Sequence, residues 1–162
     1  MDVGGIMMKL KEKKIIIIGD RDGVHGEEIS DALKQEGFDT VFSCTECFVC
    51  TAAGSVDLPN QQSIKEIVHG KDPSDFVVLL GACDPEGAAI HASTVTTGDP
   101  SYTGALAEVK LHLPVYHVFE EEIKDQIDES VYSETIGLVK ASLDEEYVEN
   151  IIKVIKNIRE QA

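Results

Sequence analysis

Three of the chain's four cysteines fall within seven residues, as Cys44-Thr45-Glu46-Cys47-Phe48-Val49-Cys50, and Thr51-Ala52-Ala53-Gly54 follows at once. Thiols two residues apart can close a disulfide, ligate a metal ion or carry a substrate group, and each use needs an accessible sulfur that can lose its proton. Cys47 and Cys50 make the Cys-x-x-Cys pair in which one activated thiol attacks and the other resolves. The acidic neighbours Glu46, Asp20 and Asp57 oppose thiolate formation, which leaves Arg21 as the local counter-charge. Cys44 extends the run to Cys-x-x-Cys-x-x-Cys, a spacing also used for iron–sulfur ligation, with Cys83 as the fourth ligand such a cluster would need. No further ferredoxin-type signature follows, and zinc lacks a second close pair of ligands, so thiol chemistry is favoured over metal. Cys83 itself, after Leu79-Leu80-Gly81-Ala82, reads as a buried small residue.

The five histidines do not cluster. His25 falls in a turn where it could reach the site, His117 lies in a strand pattern as a core histidine, and His69, His91 and His112 read as surface or helix-flank residues. Gly19-Asp20-Arg21-Asp22-Gly23 has neither the Gly-x-Gly-x-x-Gly spacing nor the Gly-Lys of a phosphate loop.

The elements that must position the cysteines alternate in type. Lys14–Ile18 and Phe76–Leu80 are continuous apolar runs of the kind found in parallel strands buried on both faces. Asp39–Ser43 predicts a short strand that feeds the cysteine loop, and Leu113–Phe119 a strand with Pro114 near its start. Helices are predicted over 27–37, from Pro59-Asn60 with Asn60 as N-cap, over 85–92, and over 120–143 with a break near Asp128. Residues 144–160 carry an amphipathic stripe of Val148, Ile151, Ile152, Ile155 and Ile158, opened by a Ser142/Glu145 capping box. Residues 94–107 predict a structured loop near the site, and residues 1–12 a loose lead-in. The fold expected is a compact three-layer α/β domain over 1–162, with a mainly parallel sheet of four or five strands between helices. Its functional turns, 19–23, 44–54 and 81–87, should then share the rim at the strands' carboxyl ends.

Fourteen basic against thirty acidic residues give a net charge of −16, which disfavours nucleic acid and anionic membrane surfaces as partners. No apolar run reaches the roughly 18 residues of a membrane span, and the first fourteen residues lack a signal peptide's apolar middle. A cytoplasmic protein is expected, where clustered cysteines do redox or metal work.

From Thr45 to Gly54 the sequence closely resembles protein A, the small selenoprotein family of the glycine/sarcosine/betaine reductase complex. The likeness extends to Ile15–Gly23, Asp57-Leu58, Asn60-Gln61, Val77–Ala82, Thr94–Pro100 and Val115–His117, across about residues 13 to 143. The resemblance implies an oxidoreductase component with no bound cofactor beyond selenium as selenocysteine, placed after the second cysteine of the motif, at position 51. It implies that this selenium accepts a carboxymethyl group from protein B, which selects among glycine, sarcosine and betaine. Protein C turns the group into an acetyl thioester released as acetyl phosphate, selenium pairs with a neighbouring cysteine, Cys50 or Cys47, and thioredoxin resets the site. Arg21 would pair with the carboxymethyl carboxylate. The sequence departs at Thr51, whose hydroxyl neither ionises near neutrality nor forms a bond of disulfide type, so a centre built on residue 51 would be disabled in this form. A stand-alone thiol–disulfide oxidoreductase using Cys47 and Cys50, and a metal-binding protein without catalysis, are the alternatives.

Overall fold

The computed structural model describes residues 8–50 and 55–162. β1 (Lys14–Asp20), β2 (Asp39–Glu46), β3 (Phe76–Leu80) and β4 (Val115–His117) form one sheet in the order β2-β1-β3-β4. Every pairing is parallel, with Ile15 beside Val77 and Leu80 beside His117. Strands buried on both faces need apolar residues at consecutive positions, and the isoleucine run of β1 supplies them. Ile15 and Ile17 enter one core, Ile16 and Ile18 the other.

The helices are α1 (Gly26–Gln35), α2 (Leu58–Val68), α3 (Pro85–Thr96), α4 (Glu121–Lys124), α5 (Glu129–Glu134), α6 (Ile136–Ala141) and α7 (Glu145–Gln161). Ile29 and Leu33 of α1 join Ile123, Tyr132 and Ile136 over one face of the sheet. Ile64 and Val68 of α2, Ala88, Ala92 and Val95 of α3, and Ile151 and Ile155 of α7 cover the other. The α/β fold with a parallel sheet between helix layers is as the sequence predicts, with four strands. The order in which strands are added reverses between β1 and β3, with β2 on one side of β1 and β3 and β4 on the other, and ligand sites of doubly wound sheets gather at such a point, beyond the strands' carboxyl ends.

Several elements differ from expectation. Residues 1–7 lie outside the described residues, but 8–12 are not a loose lead-in. Leu10–Glu12 form a 3-10 turn, and Leu10 is fully buried with its N–H on Gln126 Oε1 at 2.8 Å. A single apolar residue without a period gave no sequence signal for this. β2 runs on to Glu46, so Cys44 belongs to the strand and not to the loop. The N-cap of α2 is Asp57 rather than Asn60, and α7 is capped by Asp144, whose carboxylate accepts from Glu146 N at 2.9 Å, instead of by a Ser142/Glu145 box. α3 continues to Thr96, taking in the first residues of the segment expected to be loop. The tail of α7 is held by Arg159, which makes two 2.9 Å contacts with Glu120 and lies 4.0 Å over the Tyr116 ring.

Candidate functional site

The strands are parallel, so the turns after β1, β2 and β3 emerge on one rim, and close backbone contacts lock them together. Gly26, at the start of α1, donates its N–H to Thr45 Oγ1 at 2.9 Å, and a Cβ there would stand 2.2 Å from the Cys44 carbonyl oxygen. Only glycine permits that approach. Val24 N bonds Gly81 O at 3.0 Å, which joins the first turn to the third.

The second turn carries the thiols. Cys47 and Cys50 are joined as a disulfide, their Cα atoms 5.2 Å apart, and Cys50 N donates to Cys47 O at 3.1 Å. Cys47 is half-buried and Cys50 exposed. Between them Phe48 lies against Gly87 in the first turn of α3, where an added Cβ would come within 3.2 Å of the ring, and Val49 is 77% exposed. The loop thus leans from the end of β2 toward the N-terminus of α3. Thr51, expected at the selenium position, lies outside the described residues.

The base of the loop is held by Glu46, the last residue of β2. Its side chain is only 1% exposed, and its carboxylate accepts from Asp57 N at 3.1 Å and from Asn60 Nδ2 at 2.6 Å. One buried carboxylate therefore ties the strand before the loop to the helix after it. Burial pushes its pKa up, against the pull of the Asn60 and Asp57 donors. The sequence reading treated Glu46 only as an obstacle to thiolate formation and gave Asn60 a capping role; Asn60 instead reaches back across the neck. Arg21 N donates to Glu46 O at 2.7 Å, which brings the arginine to the foot of the same loop. Its side chain is exposed and has no partner among the described residues. His25, in the same turn, places Nε2 2.8 Å from Arg21 O.

The other two cysteines are poorly placed to react. Cys44 is half-buried, its Sγ 3.9 Å from Glu46 Oε2, and burial and the Glu46 charge push its pKa far up. Burial pushes Cys83 up to about 12, with its thiol on Gly81 O at 3.5 Å. Among the described residues no group of three or more His, Cys, Asp or Glu side chains is arranged to hold a metal ion. His117 is the core histidine expected: Nδ1 accepts from Phe119 N at 3.1 Å, so Nε2–H donates to Ala82 O at 2.7 Å. His91 is not the helix-flank residue expected. It is fully buried on α3, both ring nitrogens without a hydrogen-bond partner among the described residues, and burial lowers its pKa to about 4.

A second polar knot braces the rim from α2. Gln61, fully buried, donates to Val56 O at 2.9 Å and to Asp99 Oδ2 at 3.1 Å, and its Oε1 accepts from Leu106 N at 3.1 Å. Asp99 also accepts from the amides of Ser101, Thr103 and Gly104 at 2.8, 3.1 and 2.9 Å. Burial alone would raise the Asp99 pKa, but these donors outweigh it and hold the group down to about 2. The signal for this knot was present as Asp-Pro-Ser-x-Thr-Gly, a sequence rich in residues that bond their own backbone.

The site is therefore a redox-capable Cys-x-x-Cys loop displayed on the carboxyl rim of a doubly wound α/β protein. The family model "Glycine reductase complex selenoprotein A" matches residues 10–159, and the chain belongs to that family. Relatives named "Glycine/sarcosine/betaine reductase complex component A" include one from Symbiobacterium thermophilum, 45% identical over 95% of this chain and 97% of its own length. Another, from Carboxydothermus hydrogenoformans, is 49% identical over 85% of this chain and 88% of its own. A component A1 from Peptoclostridium acidaminophilum is 48% identical over 92% of each chain. No solved structure matches the chain. Among the described residues no helix is long and apolar enough to cross a membrane.

Proposed function

We propose that this chain is the carrier and redox component of a cytoplasmic glycine, sarcosine or betaine reductase, and that Cys50 is its reacting atom, with Cys47 resolving. The observation that carries the reading is the Cys47–Cys50 pair with its exposed member on the rim. The reduced Cys50 sulfur takes a carboxymethyl group from substrate held by protein B as a thioether: the S–CH2 bond forms as the substrate's C–N bond breaks, and the thiol proton leaves with the released amine. Cys47 then attacks that sulfur: the S–S bond forms, the S–CH2 bond breaks, and the methylene carbon becomes the methyl of an acetyl group on a protein C thiol, with loss of water. The two thiols supply the two electrons, and a thioredoxin dithiol restores them by exchange. Arg21, exposed at the foot of the loop, would neutralise the carboxymethyl carboxylate.

Placing the reacting atom at 50 revises the expectation for position 51. Adjacent Cα atoms are about 3.8 Å apart, below the roughly 4.4–6.8 Å of ordinary disulfides. Cys47 and Cys50, at 5.2 Å, fall inside that range. A selenium at 51 would have to pair with its immediate neighbour Cys50 or with Cys47 one residue farther off, whereas the spacing of 47 and 50 serves a closed redox pair. Thr51 then leaves the chain active instead of disabled.

The test is to incubate reduced chain with protein B and labelled glycine and locate the label by peptide mass. Label on Cys50 is expected, lost in Cys50→Ser, retained without acetyl phosphate formation in Cys47→Ser after protein C and phosphate are added, and unaffected by Thr51→Ala. Loss of label in Thr51→Ala, or label elsewhere, would refute it.

A further inference from the structure

The buried polar side chains of this fold have partners almost throughout. His117 uses both ring nitrogens, and Gln61 bonds Val56, Asp99 and Leu106. Among the described residues three buried side-chain atoms have no hydrogen-bond partner, and two of them are the nitrogens of His91; the third is the Thr40 hydroxyl oxygen. Burial alone lowers the His91 pKa, so near neutral pH the ring is uncharged and holds one N–H and one lone pair unmatched. The hydroxyls of its own helix do not serve it, since Thr94 Oγ1 donates to Ile90 O at 2.7 Å and Thr96 Oγ1 to Ala92 O at 2.8 Å. A native fold that leaves a buried ring in this state calls for a reason.

The ring's position supplies one. Gly87 and His91 are one turn apart on α3 and about 40° apart around it, on the same flank. Helical side chains lean toward the N-terminus, so the imidazole covers the surface over the turn that Gly87 occupies. Gly87 has no side chain to fill that place, and Phe48 packs there, 3.2 Å from where a Cβ would stand. Phe48 lies between Cys47 and Cys50, inside the small ring that the disulfide closes. Exposed Cys50, half-buried Cys47 and Phe48, and the fully buried His91 thus follow one another from the rim inward. The acids and the phenol of the adjoining elements are engaged elsewhere. Glu46 accepts from Asp57 N and Asn60 Nδ2, Asp99 from Gln61 and its own turn, and Asp84 from Gly87 N, with Tyr147 Oη 3.4 Å from its other oxygen.

Resting on the functional reading above, in which Cys47 resolves, we infer that His91 is the proton acceptor for the Cys47 thiol and that Phe48 seals it off until the disulfide is reduced. Reduction opens the ring, Phe48 leaves Gly87, and the Cys47 thiol becomes the donor that the imidazole lacks. Uncovered, the imidazole regains a pKa nearer its ordinary 6.5, suited to exchanging a proton with a thiol. As Cys47 attacks carboxymethylated Cys50, its S–H proton passes to His91. The S–S bond forms, the S–CH2 bond breaks, and its electron pair stays with the methylene carbon, which takes the proton from the imidazolium. His91 ends neutral, as it began, and the closed disulfide returns Phe48 to its seat.

Two measurements on the intact chain test this. Exchange of the His91 Cε1 hydrogen with deuterated water, read by peptide mass, should be about tenfold faster in the reduced chain than in the oxidised one. Phe48→Ala should speed it in the oxidised chain. In single turnovers with protein B and glycine, then protein C and phosphate, His91→Gln should load Cys50 at the wild-type rate. Closure of the Cys47–Cys50 disulfide, read by intact mass, should slow by about a hundredfold, and imidazole added to His91→Ala should restore part of that rate. Circular dichroism checks that each variant is folded, and the exchange measurement needs no change at His91. Equal exchange in both redox states, exchange unmoved by Phe48→Ala, closure at the wild-type rate in His91→Gln, or a loss in folded His91→Ala that imidazole does not restore would each overturn the inference. Absence of loading on Cys50 in the wild-type chain would instead sink the functional reading, and exchange at His91 that still followed the redox state would leave the Phe48 seal standing.

Discussion

Replacing Asp99 by Asn tests whether the knot behind the rim is as strong as its geometry implies. Oδ2 accepts from Gln61, Thr103 and Gly104, and Oδ1 from the amide and hydroxyl of Ser101, so an amide nitrogen in either position meets donors with a donor. Hydrogen bonds to a buried carboxylate are worth about 1.5–3 kcal/mol each, and donors left unpaired cost about 1–3 kcal/mol, without simple additivity. A loss of about 3–4 kcal/mol at pH 7 is expected, measured by urea unfolding. The pH dependence provides a second check. The pKa falls from 3.8 to about 2 on folding, a depressed carboxylate, so its charge contributes roughly 2 kcal/mol that is fully present above 3.8 and lost as pH falls through about 2. The variant has no such titration. The gap between the two proteins should therefore narrow by about that amount between pH 5 and pH 2. A difference below about 1 kcal/mol at pH 7, or a gap unchanged across that range, would refute the assignment of these donors to an ionised Asp99.

Two further outcomes follow from other buried charges. Glu46→Gln removes a carboxylate whose pKa burial raises; the raised group costs stability once pH exceeds the ordinary carboxylate range. The change should therefore move neutral-pH stability by less than about 1 kcal/mol while slowing, by altered loop geometry, iodoacetate labelling of reduced Cys50, and unchanged labelling would count against the strap. Glu120→Ala strands Arg159, whose side chain is 19% exposed against 7% for Glu120, and should cost about 3 kcal/mol by chemical denaturation, with a loss under about 1 kcal/mol contradicting it.

The sheet could be read from the sequence because burial on both faces leaves an unambiguous trace: Ile15–Ile18 and Phe76–Leu80 admit little else. The cysteine pair was legible for a similar reason, since its spacing is its chemistry. What escaped was polar and non-local. Glu46 meets Asn60 and Asp57 only after the chain has closed the loop, and Gln61 meets Asp99 across thirty-eight residues. No local period encodes either contact. His91 was misplaced because α3 buries a wide face of small residues, and a lone histidine among Gly87, Ala88 and Ala92 looked like the polar side of that helix. Leu10 was missed because a single turn is too short to show a pattern.

The disulfide joins residues only three apart in sequence. Cross-links stabilise a fold largely by shrinking the freedom of the unfolded chain, and so short a ring removes little of it. The four strands and both cores are assembled without help from that bond. Oxidation and reduction at the rim can then alternate while both cores below stay packed, and the redox state is registered chiefly by the loop and by whatever partner touches it.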